Sequence, residues 1–175
     1  MPETNDFTFS YWWTPLVNGD GQKYGYPRPL REYLPGRRDC PGVYRWTFFR
    51  GPEVSVEPYQ VLIGQSGSLL RRLTEYVNPT TKEEGAWQTI FLKEIKSGSK
   101  IECHLLNFES FTINGIRLTQ DGLAFPFVRA FLESLMLIIA SGLRSCTVLN
   151  KGKSTHEKEI EKIKKKLRKL GAEPA

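Results

Sequence analysis

The chain has 175 residues and a formal net charge of +6, with an apolar fraction of 39% and an aromatic fraction of 12%. This length fits one domain with a substantial core plus one or two appendages, and this composition excludes a disordered chain. The longest apolar run, 127–143, carries Arg129 and Glu133 and is too short to predict a membrane span. The polar N-terminus shows no signal-peptide pattern. No membrane partner is therefore expected.

The cysteine pattern bears on the compartment. Cys40, Cys103 and Cys146 are widely spaced and odd in number, no CxxC motif occurs, and the chain has only two histidines. This pattern supports neither a disulfide framework nor a zinc site. We therefore expect a reduced, cytoplasmic setting.

The positive charge is concentrated at the C-terminus. Residues 151–175 hold nine Lys/Arg and four Glu, a net charge of +5, so the first 150 residues carry only +1. A tail of this charge suits a polyanionic partner such as nucleic acid. A solvated basic helix, running from about Thr155 to Leu170, explains the charge equally well.

The elements are predicted in chain order as follows. Residues 1–39 are rich in aromatic residues and turn formers without a period, and predict an irregular extension that packs its rings on the core. A second interpretation is that its aromatic rings, beside Arg28, Arg31, Arg37 and Arg38, form a surface on which nucleic-acid bases stack. Next come strands at 43–50 and 59–64, helices at 69–77 and 87–95, a strand at 100–108, an Asn114-Gly115 hairpin and an apolar helix at 126–142. Residues 40–150 thus predict an α/β domain of the α+β kind, with a small, mainly antiparallel sheet flanked by helices.

Three features of this domain can carry chemistry. Tyr44 stands in Gly42-Val43-Tyr44 at the start of a strand, where an aromatic residue is ordinary. Arg72 and Tyr76 share one helix face, where the arginine is either a surface cation or aimed at a phosphate. Glu133 lies inside the most apolar helix, so its carboxylate needs a partner, either Arg129 at i−4 or a metal ion.

Taken together, the motifs resemble the GIY-YIG endonuclease superfamily. Gly42-Val43-Tyr44 is followed by Leu62-Ile63-Gly64 about twenty residues later, and Arg72 lies eight residues beyond that glycine. The segment 68–79 is similar to the incision domain of bacterial nucleotide-excision repair, and the order of motifs is also that of GIY-YIG restriction endonucleases. Leu62 stands where the family has a tyrosine. Tyr59 is an odd three residues away, which in a regular strand puts it on the opposite face.

The resemblance implies hydrolysis of DNA phosphodiester bonds. Glu133 would hold one Mg²⁺ or Mn²⁺ ion, Arg72 would neutralise transition-state charge, and Tyr44 would act as or position the general base. Tyr76 and Asn150 would orient water or phosphate. The remaining expected DNA contacts are Gln65, Ser66, Arg71, Lys151 and Lys153. The nearly neutral body is compatible with a homodimer that cuts both strands.

Two alternatives from other classes remain. A non-catalytic nucleic-acid-binding module could keep this fold without the second-motif tyrosine. An interaction domain could use the basic tail to bind an acidic protein. Metal-dependent nicking of plasmid separates the first alternative from a nuclease, and salt-dependent DNA affinity separates the two alternatives from each other.

Overall fold

The computed structural model describes residues 9–33, 40–51, 58–113, 116–143 and 146–150. The predicted basic helix at 151–175, with Lys151 and Lys153, lies outside the described residues, as does the Asn114-Gly115 turn. The strands are β1 (Tyr11–Pro15), β2 (Gly42–Phe49), β3 (Gln60–Ser66), β4 (Lys100–Phe108), β5 (Ser110–Ile113), β6 (Ile116–Thr119) and β7 (Thr147–Val148). The helices are α1 (Leu69–Val77), α2 (Lys82–Lys96) and α3 (Pro126–Ser141).

The main sheet has five strands in the order β1-β4-β2-β3-β7. All its pairings are antiparallel except β3 with β7, and β5 pairs with β6 in a separate two-stranded sheet. This arrangement confirms the predicted mixed α/β class with a mainly antiparallel sheet. No helix in the described part of the chain is long and apolar enough to cross a bilayer.

Strand side chains point alternately to the two faces of the sheet, so apolar residues lie on both faces and helices cover each of them. Tyr44, Trp46 and Phe48 of β2 belong to the core that α1 and α2 close. Val43 of β2 and Ile63 of β3 belong to the core that α3 closes. The sheet is therefore the middle layer, and β2 and β3 carry side chains into both cores.

The segment 1–39 is less irregular than the sequence indicated. Its residues Tyr11–Pro15 form β1, which pairs with β4 along the edge of the sheet. As predicted, its rings pack on the core, with Tyr24, Tyr26 and Tyr33 all buried. The strand was missed because five residues ending at Pro15 give too short a pattern to stand out, and β4 supplies the pairing that stabilises it.

Two further elements differ from the prediction. Helix α2 begins at Lys82, five residues before the predicted start, because Thr81 and Glu84 form a reciprocal capping box. Strand β7 was not predicted either. It is only two residues long, and it exists because the amide N–H groups of Thr147 and Leu149 donate to the carbonyls of Tyr59 and Val61 at the outer edge of β3.

A buried polar cluster lies on the neighbouring strands β2 and β4. The Thr47 hydroxyl is 3.0 Å from His104 Nδ1, and His104 Nε2 is 3.6 Å from the buried carboxylate of Glu102. Lys100 Nζ lies 2.7 Å from the other oxygen of Glu102. Burial, followed by the charge of Arg45, lowers the pKa of His104 to about 4, although Glu102 opposes the change. His104 is therefore neutral at pH 7.

This cluster predicts acid-sensitive stability. The unfolded chain binds a proton at His104 near pH 6.5, whereas the folded chain binds it only near pH 4. The free energy of unfolding is therefore highest above about pH 6.5, where His104 is neutral in both states. It falls as the pH decreases towards 4, by at most about 3 kcal/mol. Urea unfolding at pH 7.5 and pH 4.5 should show a smaller acid loss for His104→Gln than for wild type. Equal losses in the two proteins would contradict the assignment.

Candidate active site

A pocket of about 250 Å³ lies beside the β3 end that carries Gly64. Residues on both sides of the sheet line it, with α1 and α2 on one side and α3 on the other. It contains all five residues that the sequence proposed as catalytic. The pocket is lined by Tyr44, Leu62, Ile63, Gly64, Gln65, Arg72, Tyr76, Glu83, Trp87, Glu133 and Asn150.

Two phenols and one guanidinium form a hydrogen-bonded group in this pocket. Arg72 Nε donates to the hydroxyl oxygen of Tyr44 at 3.2 Å, and the hydroxyls of Tyr44 and Tyr76 are 3.0 Å apart. The Arg72 guanidinium also lies 5.2 Å from the centre of the Tyr76 ring. Strand β2 and helix α1 thus bring Tyr44, Arg72 and Tyr76 into one site, as the sequence predicted.

Glycine at position 64 creates the space for the Tyr44 phenol. Tyr44 and Gly64 are opposite each other in the β2–β3 register. A Cβ atom built on Gly64 would lie 2.6 Å from Tyr44 Cζ, closer than side-chain atoms can approach. Gly42 has the same role towards α1, because a Cβ there would lie 2.7 Å from Leu69 Cδ1. Gly64 therefore makes room for the phenol in the pocket, and Gly42 makes room for the packing of α1 on β2.

Burial controls the protonation of the two phenols. Burial raises the pKa of Tyr44, while the charge of Arg72 and the hydrogen bond with Tyr76 oppose the increase. Burial raises the pKa of Tyr76 well above its usual value, and the neighbouring Tyr44 adds to the increase. At neutral pH both phenols are protonated.

Glu75 fixes the guanidinium that bonds to Tyr44. Its carboxylate accepts from Arg72 Nη1 at 2.9 Å and from Arg71 Nη1 at 2.5 Å. Arg72 is one-third exposed, so it is open to the pocket while two of its nitrogens are held. Arg71 is more than two-thirds exposed and does not line the pocket. The expected DNA contact at Arg71 would therefore be made outside the pocket.

Glu133 brings a carboxylate from α3 into the pocket, where it is half-buried. Arg129, which the sequence offered as an ion-pair partner of Glu133, is buried and donates to β3 and to the turn before α3. Its Nε donates to Gln65 Oε1 at 3.0 Å, and its Nη1 donates to the carbonyls of Leu123 and Ala124. Arg129 thus joins the start of α3 to β3 and helps to place the helix that carries Glu133.

Asn150 and Ser66 hold the backbone around the pocket. The Asn150 Oδ1 accepts from the amide of Ile63 at 2.9 Å, and its Nδ2 donates to the carbonyl of the same residue. This side chain continues the β3–β7 pairing by one position, so its amide supports the pocket wall and does not point freely at a ligand. Ser66 is buried and exchanges hydrogen bonds with the backbone of Ser68 at the start of α1.

The sequence did not identify Glu83 and Trp87 as pocket residues. Both belong to the first turns of α2. The capping box at Thr81 and Glu84 marks the true start of this helix and would have placed Glu83 in its first turn. The missed helix start therefore hid the carboxylate of Glu83, whereas Trp87 was placed on the helix but not assigned to the site.

The structure corrects the reasoning about Tyr59. It precedes β3 and packs on the same core as Leu62, so strand alternation does not apply to it. Its hydroxyl lies 2.5 Å from Glu94 and 2.8 Å from Ser99, and it lines a different pocket together with Arg50. Tyr59 is thus absent from the Tyr44 pocket, as the sequence indicated, but for a different reason.

The pocket combines a fixed cation, two phenols and two carboxylates in a half-enclosed space. No group of three or more His, Cys, Asp or Glu side chains suited to a metal occurs among the residues that the structure describes. Comparison of the chain with protein-family models, with curated proteins and with solved structures gives no match.

The close approach of Gly64 predicts a cost for any side chain there. Gly64→Ala forces its Cβ against the buried Tyr44 ring and should destabilise the protein by about 1–3 kcal/mol, the usual cost of overpacking. Gly85→Ala, in α2 with no atom near the added Cβ, should be neutral or stabilising. Urea unfolding of both variants measures the difference. Equal stabilities would show that Tyr44 is not packed against Gly64.

Proposed function

We propose that this protein is a divalent-metal-dependent endonuclease that hydrolyses DNA phosphodiester bonds in the Tyr44 pocket. The observation that supports this most is the convergence of Tyr44, Arg72 and Glu133 on one pocket from β2, α1 and α3. Their motifs resemble the GIY-YIG superfamily, in which these positions serve the same reaction. The proposal extends that resemblance to the chemistry of this site.

The carboxylates of the pocket suit a hard divalent cation. Mg²⁺ is commonly held by one or two carboxylates and keeps most of its water, so a cluster of three acidic ligands is not required. Glu133 is the proposed ligand, and Glu83 lines the same pocket. A bound Mg²⁺ or Mn²⁺ supplies a Lewis acid for a phosphate oxygen.

The side chains divide the remaining work. The Arg72 guanidinium, which Glu75 holds in position, faces the pocket and stabilises the negative charge that develops on the phosphate oxygens. As a phenol, Tyr44 positions the attacking water; only after losing its own proton to solvent does it accept a proton from that water as a phenolate. Its phenol loses a proton only where positive charge outweighs burial, and Arg72, bonded to its oxygen, is the nearest source. Tyr76 donates to the resulting phenolate.

The DNA itself would contact the rim of the pocket and the basic tail. Gln65 lines the pocket and Arg71 is exposed nearby on α1, whereas Lys151 and Lys153 follow Asn150 directly in the chain. The near-neutral body makes the tail the main source of non-specific affinity in this proposal. A homodimer that cuts both strands, acting in the reducing cytoplasm, is the proposed setting.

A nucleic-acid-binding module without catalysis is the second candidate. Two observations favour it. Leu62 replaces the tyrosine of the second motif, and burial holds the Tyr44 phenol in its protonated form. In that case Arg72 would bind a phosphate without hydrolysis.

Replacing the proposed ligand separates the two candidates. Glu133→Gln keeps the shape of the side chain but removes the charge that holds a cation. We expect Mg²⁺- or Mn²⁺-dependent nicking of supercoiled plasmid to fall by about 100-fold or more, the scale of losing a transition-state interaction of about 3 kcal/mol. DNA affinity and melting temperature should remain close to wild type. Glu109→Gln, exposed and outside the pocket, is the matched control and should nick normally.

The outcomes divide cleanly. An active Glu133→Gln protein would remove Glu133 from the metal site. A wild-type protein that binds DNA but nicks no plasmid with any divalent ion would favour the binding module. Nicking that persists in EDTA would contradict metal dependence.

A further inference from the structure

The outward face of α3 carries no charged residue. The charged residues of this helix are Arg129, which is buried, and Glu133, which lines the pocket. At helical spacing the opposite side presents Phe127, Phe131 and Ile138. Phe127 is 68% exposed and Ile138 is 50% exposed.

An uncharged helix face of this length is unusual for an exposed surface. A helix that faces water on one side normally places charged residues there, whereas the polar residues on this side of α3 are the uncharged Ser134 and Ser141. Phe131 stacks on Phe111 of β5 with ring centres 6.0 Å apart, and Phe127 lies 5.9 Å from Phe125. The rings are thus held in place by neighbours while still presenting apolar surface. Exposed aromatic and aliphatic side chains on one helix face are typical of a site that another element covers.

The tail contains a sequence with a matching pattern. Its apolar residues recur at intervals of three, four and three positions, at Ile160, Ile163, Leu167 and Leu170. All the remaining residues from 157 to 169 are charged. This spacing predicts a helix with one narrow apolar seam, the form that packs against a single neighbouring helix. An isolated helix of this length is marginal in water, so the seam needs a partner.

The point where the tail leaves the body brings it within reach of α3. Asn150 is fixed to the backbone of Ile63, and it lines the same pocket as Glu133 of α3. The nine residues from 151 to 159 span about 30 Å when extended, which exceeds the path around a helix about 10–12 Å wide. The seam from Ile160 to Leu170 and the face from Phe127 to Ile138 are each about 15–17 Å long.

We propose that residues 160–170 dock as a helix on the outward face of α3, with the Ile/Leu seam against Phe127, Phe131 and Ile138. A tethered segment meets its site at an effective concentration in the millimolar range, which favours the tail over a second copy of the chain. In this docked helix the lysines and Arg168 face solvent, on the side of the sheet that α3 and Glu133 occupy. The proposal stands independently of the nuclease activity.

Hydrogen exchange on the full-length protein tests this docking. Amides of residues 160–170 should exchange at least about tenfold more slowly than in the isolated tail peptide, at a rate independent of protein concentration. The variant Phe127→Gln/Ile138→Gln should remove that protection, and so should Ile163→Gln/Leu167→Gln in the tail. The first variant changes exposed positions, so the fold should persist, and its melting temperature checks this.

Two control variants make the result specific. Leu92→Gln removes an exposed apolar residue from α2 and should leave tail protection unchanged. Lys158→Gln/Lys165→Gln alters the side of the tail opposite the seam and should also leave it unchanged. An unprotected tail, or protection that survives Phe127→Gln/Ile138→Gln, would overturn the proposal. Protection that grows with concentration as the mass doubles would assign the face to a second copy instead.

Discussion

The close approach of the Tyr44 phenol to Gly64 is the constraint on which the rest of the site depends. Because position 64 has no side chain, the ring lies close against β3 and its hydroxyl reaches α1. There it meets Arg72 and Tyr76, one helical turn apart on the same face of α1. Helix α1 is itself held close to β2 because Gly42 leaves room for Leu69. The two motif glycines thus determine where the guanidinium and the phenols meet, and the pocket forms around them.

The parts of the fold that the sequence predicted are those with a strong local pattern. Strands β2, β3 and β4 are rich in β-branched and aromatic residues between turn formers, and their predicted bounds differ from the observed ones by at most two residues. Helix α1 has the predicted bounds because its apolar spacing and the Asn78-Pro79 stop are both clear. The short strands β1 and β7 could not be predicted in the same way. Each depends on backbone pairing with a neighbour that is distant in sequence.

The sequence predicted the site residues that belong to recognisable motifs. The order of Tyr44, Arg72, Tyr76 and Glu133 along the chain suggested that they meet, and they do line one pocket. Their hydrogen-bond partners were not predictable, since Glu75 on Arg72 and Ile63 on Asn150 follow from side-chain directions in three dimensions. The protonation of Tyr44 was equally hidden. It depends on burial, which raises the pKa of Tyr44 by more than the charge of Arg72 lowers it.

The central claim is that Tyr44 and Arg72 act as one unit through the bond between Arg72 Nε and the Tyr44 hydroxyl. A double-mutant cycle on the rate of plasmid nicking, with Tyr44→Phe, Arg72→Lys and both changes together, tests it most directly. Phenylalanine removes the hydroxyl and lysine removes the Nε donor while keeping the charge. If the two residues act as a unit, each single change lowers the rate strongly and the double variant is little worse than either alone. Rate losses that simply multiply, or a single variant with the wild-type rate, would contradict the account.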